Sequence, residues 1–157
     1  MTTTTEAWVS DDDRRISRAE LEARAQKGAG ALLALGLAED APVAVIMRND
    51  LTQLEVMRAA AHAGVVLVAL NWHGAAEEVG AICDDSGART VIIHRDLIGP
   101  LRPVLAGRRI IAVTPGPALR AAYGISAQAA TDMPEAPEWS DLVDAAAPLR
   151  DKAMTRP

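Results

Sequence analysis

Residues 64–74 read GVVLVALNWHG: Gly64, six apolar residues from Val65 to Leu70, then Asn71-Trp72-His73-Gly74. A run this apolar, with no polar alternation, reads as a strand covered on both faces, and such strands belong to parallel sheets. Three more runs follow the same pattern, at Val43–Met47, Thr90–Ile93 and Arg109–Val113. Helical stretches lie between them, and strand, helix, strand in this rhythm implies parallel pairing through crossover helices. The expected fold class is therefore α/β: a parallel sheet with helices on both faces, a Rossmann-like layered sandwich.

The intervening segments carry their own start and stop signals. Asn49 or Asp50 is placed to cap a helix through Leu51, Leu54, Met57 and Ala61, ending at Gly64. Residues 75–85 predict a helix burying Val79, Ile82 and Cys83, stopped by Ser86-Gly87. Asp96 with Leu97, Leu101, Val104 and Leu105 suggests a short helix, kinked or shortened by Pro103. Upstream, Ser17-Arg18-Ala19-Glu20 is a capping box before a helix with Leu21, Ala25, Gly28, Leu32 and Leu35 on one face, and Gly36 ends it. EAWVSDDDRRIS reads as a hairpin around a solvated acidic turn, Asp11 to Asp13, rather than a metal site. A last helix is expected around Trp139–Ala146, after which PLRDKAMTRP reads as an unfinished connector. The expected division is an N-terminal hairpin over 1–17, one α/β unit over 18–147, and a connector or truncated tail over 148–157.

The chain has 157 residues, room for one well-buried domain. It contains no Phe, one Tyr and three Trp, so the core must be built from Ala, Val, Leu and Ile. A formal charge of −5 argues against a nucleic-acid or anionic-membrane partner, because phosphate binding needs clustered Lys and Arg. Cys83 is the single cysteine, which excludes an internal disulfide and disfavours a thiolate metal site. MTTTTEAW lacks the basic head and apolar stretch of a signal peptide, and no apolar run approaches the ~20 residues of a membrane span. These features together give the expectation of a cytoplasmic protein.

An α/β fold invites a nucleotide, but the phosphate-binding signatures fail. GAGALL at 28–33 lacks the third Gly of the dinucleotide fingerprint and falls inside a helix, where close helix packing explains it. No P-loop pattern occurs, and neither Lys27 nor Lys152 ends a strand. Asp50 resembles a receiver-domain phosphoacceptor, but the Lys that such a site needs at the end of a later strand is missing. His62, His73 and His94 lack metal-ligand spacing and read as ordinary surface or strand-end residues. Asp84-Asp85 point apart on a helix and form its polar end. No Gly-x-Ser-x-Gly elbow is present. No catalytic residue and no metal site is expected from these residues.

ISRAELEARA (16–25), VAVIMRND (43–50), HAGVVLVALNW (62–72) and AEEVGAICDDSGARTVII (76–93), in that order, resemble the opening of the adenylate-forming superfamily. The first resembles a Thr-Tyr-x-Glu-Leu motif, matched at Ser17, Glu20 and Leu21. The third resembles an Ala-Gly-x-x-x-x-Pro-Leu-Asn motif, matched at Ala63, Gly64, Leu70 and Asn71. Arg18 stands where that family has Tyr, Ala69 where it has Pro, and Asp40-Ala41-Pro42 replaces the usual Gly-Asp. The Asn-Trp ending and DDSGAR are closer to acyl-CoA synthetases (fatty-acid–CoA ligases) than to peptide-synthetase domains.

The resemblance implies a parent ligase that joins a carboxylic acid to CoA through an acyl-AMP intermediate, using ATP, Mg and CoA. The family's phosphate loop, magnesium ligand, ribose-binding Asp and catalytic Lys have no match in this chain. The expectation is an N-terminal part of such an enzyme, inactive alone and binding none of those cofactors. Its partners would be the remainder of the parent enzyme, or further copies through exposed apolar surface. A stand-alone, non-enzymatic binding or regulatory module of the same descent is the second reading. Asn71, Trp72 and His73 lie at a strand's carboxyl end, where open α/β sheets place ligands, and are the substrate-adjacent candidates. A capped loop with Trp72 packed on the surface is the plainer account of them.

Overall fold

The computed structural model describes residues 7–149. The segments 1–6 and 150–157, with most of the expected connector, lie outside the described residues. A hairpin opens the fold: β1 (Trp8–Ser10) pairs antiparallel with β2 (Arg15–Ser17), Val9 opposite Ile16. Ser17 then caps α1 (Arg18–Ala34). Its hydroxyl accepts the Glu20 N–H at 3.1 Å, and the Glu20 carboxylate accepts the Ser17 N–H at 2.7 Å.

The acidic turn is not merely solvated, as its sequence suggests. One oxygen of Asp11 closes the turn on the N–H groups of Asp13 and Arg14, and the other accepts the N–H of Leu51 at 2.8 Å. Asp13 accepts the N–H of Ala118 at 2.7 Å. Leu51 and Ala118 open two later helices, so the hairpin is tied to the body by carboxylates on free helical amides.

The body alternates β3 (Pro42–Ile46), α2 (Leu51–Ala63), β4 (Val66–Ala69), α3 (Ala76–Ser86), β5 (Thr90–His94), α4 (Arg95–Leu105) and β6 (Arg109–Val113). Its four strands are parallel, in the order β4-β3-β5-β6. Next come α5 (Pro117–Tyr123), a 3-10 turn at Ala129–Thr131, and α6 (Trp139–Ala145). One sheet face, carrying Val43, Val45, Ile92 and Ile111, packs on α1, α2 and α6 through Leu32, Val56, Ala59 and Trp139. The other, carrying Ala44, Ile46, Val91 and Ile93, packs on α3 and α4 through Val79, Cys83, Ile98 and Leu101. The expected fold class is the observed one.

Several details differ from the sequence expectations. The run 65–70 is a strand, but β4 is the sheet's edge, and Val66 is 48% exposed. In α2 the buried positions are Leu51, Glu55, Val56, Ala59, Ala60 and Ala63, while Met57 and Ala61 face outward. In α3, Val79 and Cys83 are buried but Ile82 is exposed, because only one side of that helix meets the sheet and α4. Neither Pro100 nor Pro103 stops α4, which runs its full 11 residues. The small residues in GAGALL do serve packing: a Cβ on Gly28 would lie 2.8 Å from Ala59 and Trp139 side-chain carbons. At the far end, Leu149 donates its N–H to Gln26 of α1 at 2.9 Å, so residues 147–149 lie along that helix.

Candidate functional site

In the order β4-β3-β5-β6, the connection leaving β3 goes to one face and that leaving β5 to the other. The crevice between the carboxyl ends of β3 and β5 is therefore the topological switch point, where open α/β sheets receive ligands. Both strands end there in a polar triplet, Arg48-Asn49-Asp50 and His94-Arg95-Asp96.

These side chains fill the crevice with one another. Arg48 is 6% exposed, and its guanidinium pairs with Asp96 at 2.8 Å. His94 is fully buried: Nδ1 accepts the Arg48 N–H at 3.1 Å, so the ring proton sits on Nε2, which donates to Asp50 at 3.1 Å. Asp50 also caps α2 by accepting the Gln53 N–H at 2.7 Å. His94 is thus no ordinary strand-end residue, and it does have a carboxylate partner. His62 has one too, Glu22 at 2.5 Å, which also binds Arg58. The Arg58 guanidinium foremost, with a hydrogen bond to His62, holds the Glu22 carboxyl below its usual value against a smaller effect of burial.

The candidates Asn71, Trp72 and His73 divide at this end of the sheet. Asn71 shapes the turn: its side-chain oxygen accepts the His73 N–H at 3.0 Å and its carbonyl accepts the Gly74 N–H at 2.9 Å. A Cβ on Gly74 would lie 3.0 Å from that carbonyl, which explains the glycine. Asn71 and His73 are exposed, and the His73 ring lies 3.3 Å from the Trp72 ring, centroid to centroid. Trp72 alone joins the crevice. The Arg48 guanidinium sits 4.4 Å from its ring centroid and 4.8 Å from that of Tyr123, and the two rings meet edge to face. The loop is capped as the plainer account requires, and Trp72 is the lid on a buried cation.

Arg48, Asp96, His94 and Tyr123 are members of this cluster that sequence reasoning missed. The available signal was the paired triplets, RND and HRD, each closing an apolar strand.

A second polar assembly lies beyond β6. Glu55 is 1% exposed and accepts Arg24 Nε at 2.6 Å and the Trp139 indole N–H at 2.8 Å. The Glu55 hydrogen bond, opposed by burial, raises the pKa of Arg24. Arg14, Thr52, Thr114 and Glu138 join them around a cleft of about 350 Å³. Arg95 pins the neighbouring loop through Glu138, Thr114 and the carbonyls of Asp132, Met133 and Ala136. Burial pushes the Cys83 thiol up, so it is not a poised nucleophile.

Within the crevice, Nε of Arg48 is buried without a hydrogen-bond partner. Arg48 is neutralised by Asp96 between two rings, and Arg95 is surrounded by acceptors. Among the described residues, no group of three or more His, Cys, Asp or Glu is placed to hold a metal ion.

The sequence profile of the AMP-binding enzymes matches residues 2–151. The chain belongs to that family. This AMP-binding family member is 36% identical over 104 residues to a long-chain-fatty-acid–CoA ligase of Mycobacterium tuberculosis, covering 66% of the chain and 20% of the relative. It is 33% identical over 90 residues to a fatty acid–[acyl-carrier-protein] ligase of Streptomyces coeruleorubidus, covering 57% and 17%. It thus spans about a fifth of the length of the curated relatives it matches. Among solved structures, a benzoate CoA ligase from Burkholderia xenovorans superposes on 98% of the chain and 28% of its own, with a TM-score of 0.75 and 26% identity. A long-chain-fatty-acid-CoA ligase from Archaeoglobus fulgidus shares the fold (TM-score 0.69, 19% identity, 90% of this chain and 25% of that one). The relatives named here are acid–thiol ligases.

Proposed function

We propose that these residues form the N-terminal sheet unit of an ATP-dependent acyl-CoA synthetase, which converts a carboxylic acid, ATP and CoA to acyl-CoA, AMP and pyrophosphate. The acid is proposed to be of the fatty-acid class, on the names of the sequence relatives. The observation that carries this reading is the family match over residues 2–151 on a unit whose switch-point crevice is filled by its own side chains. Nucleotide, magnesium and CoA accordingly engage residues beyond these 157, and the 157-residue chain alone is inactive. Its partner is the remainder of the parent enzyme, and Asn71, Trp72 and His73 lie beside the substrate site that the remainder completes. No helix among the described residues is long and apolar enough to cross a membrane, and a cytoplasmic location belongs to the same reading.

The test is pyrophosphate exchange and acyl-CoA formation over a panel of fatty and aromatic acids. The 157-residue chain should show no turnover, whereas the same residues joined to the remainder of a family enzyme, with its phosphate loop, magnesium ligand, ribose-binding Asp and catalytic Lys, should turn over. Clear turnover by the 157 residues alone sinks the reading.

A further inference from the structure

The two edges of the parallel sheet are treated differently. Beside β6, the Ala112 N–H is taken by the Pro137 carbonyl at 2.9 Å, and Glu138 forms an isolated parallel bridge with Ala112. Among the described residues no such segment lies beside β4. The bonds from Val66 N–H to Ala41 and from Leu70 N–H to Val45 point inward to β3. Alternation then leaves the N–H and C=O groups of Leu67 and Ala69 on the open side.

Exposed edges are ordinarily blunted by Lys, Pro, a bulge or an inward charge. The segment 64–70, GVVLVAL, carries none of these. The stretch is uncharged and rich in β-branched residues, so its unpaired groups form a template for another strand.

We propose that β4 is a homodimerisation edge, on which a second copy of this chain adds its own β4 antiparallel about a twofold axis through Val68. This goes beyond the proposed ligase role and does not depend on it. The register follows from the outward groups. Leu67 faces Ala69 of the second copy and exchanges both bonds with it, and the symmetric pair does the same, giving about four backbone hydrogen bonds. Val68 faces its own equivalent as a non-hydrogen-bonded pair, and Val66, now 48% exposed, faces Leu70 of the second copy. At each end of the seam Glu39 lies against Gly64, opposite Trp72 of the second copy, and Glu78 lies beside Gly74.

The experiment is sedimentation velocity of the 157-residue chain at total concentrations up to about 100 µM, with circular dichroism to confirm that each variant folds. The expected result is a reversible monomer–dimer equilibrium. Ala69→Pro, which deletes an outward N–H from an exposed residue, and Val68→Lys, which sets two ammonium groups face to face, should each weaken it about tenfold or more. Val68→Cys gives an independent readout. Cα atoms of a non-hydrogen-bonded pair lie about 4.5 Å apart, within disulfide range, so oxidation should crosslink that variant. Val66→Cys should not crosslink, and buried Cys83 does not compete. A monomer at every concentration, an open-ended oligomer, or a dimer that ignores Ala69→Pro and Val68→Lys overturns the proposal.

Discussion

Nδ1 of His94 accepts the backbone N–H of Arg48 at 3.1 Å, across the two central strands at their carboxyl ends. Because that nitrogen must accept, Nε2 carries the proton and donates it to Asp50, the cap of α2. One buried ring thus ties β5 to the end of β3 and to the start of the helix that follows it. His94→Phe keeps a ring but removes both polar contacts, leaving a buried N–H and a helix-cap carboxylate short of partners. Urea unfolding should show a loss of about 2–4 kcal/mol. His94→Gln, which can both accept and donate, should recover part of it. A loss below about 0.5 kcal/mol for His94→Phe would show that water replaces both contacts at no cost.

The Arg48–Asp96 pair sits at 7% and 6% side-chain exposure, under Trp72 and Tyr123. Removing one partner strands a buried charge, so Asp96→Leu alone should cost about 3–5 kcal/mol. The double variant Arg48→Met, Asp96→Leu removes both charges and should be markedly less destabilised than Asp96→Leu. The comparison is made by urea unfolding of the two variants beside wild type. An equal loss in both would mean that the rings, not the ion pair, set the energetics.

The apolar runs made the four strands, their parallel class and the two-faced layering legible, because each of those properties is local in sequence. What a strand touches sideways is not local. Val65 to Leu70 resembles a central strand in composition, and only the order β4-β3-β5-β6 reveals it as an edge. The same limit hid Glu55, which lies 31 residues from Arg24 and 84 from Trp139, the two groups that make its burial tolerable. Asn71, Trp72 and His73 were legible as a turn at a strand's carboxyl end. That Trp72 covers Arg48, and that Asp96 pairs with it, depends on loops from four strands converging. Only the repeated polar triplets, RND and HRD, gave a hint of it.

Gly28 and Gly36 separate two reasons for a glycine. At Gly28 the obstacle is space, since a Cβ would approach Ala59 and Trp139 carbons at 2.8 Å where α1 crosses α2 and α6. At Gly36 there is nothing within 4 Å, and the obstacle is φ of +84° after the last turn of α1. Gly28→Ala should cost about 1–3 kcal/mol by forcing the helices apart, and Gly36→Ala about 1–2 kcal/mol by backbone strain alone. Gly36→Asn should recover part of the second loss, because Asn tolerates that conformation, whereas Gly28→Asn should be worse than Gly28→Ala. Thermal unfolding of the four variants decides it: recovery at both positions, or at neither, contradicts the assignment.

Asp11 links acid sensitivity to the hairpin. Burial pushes its carboxyl up, but the N–H groups of Leu51, Arg14 and Asp13 together outweigh that and hold it below the ordinary 3.8. A carboxyl lowered in the folded state stabilises in full above its unfolded value and loses that contribution as pH falls through the lower folded one. The stability gap between wild type and Asp11→Asn should therefore be constant near neutral pH and narrow only below about pH 4. At neutral pH the gap should be about 0.5–2 kcal/mol, the usual worth of a helix cap. Asp12→Asn, whose residue is exposed and makes none of these bonds, should leave the unfolding curve at neutral pH unchanged. A gap that instead widened on acidification would place the responsible proton elsewhere and detach the hairpin's anchoring from the Asp11 carboxylate.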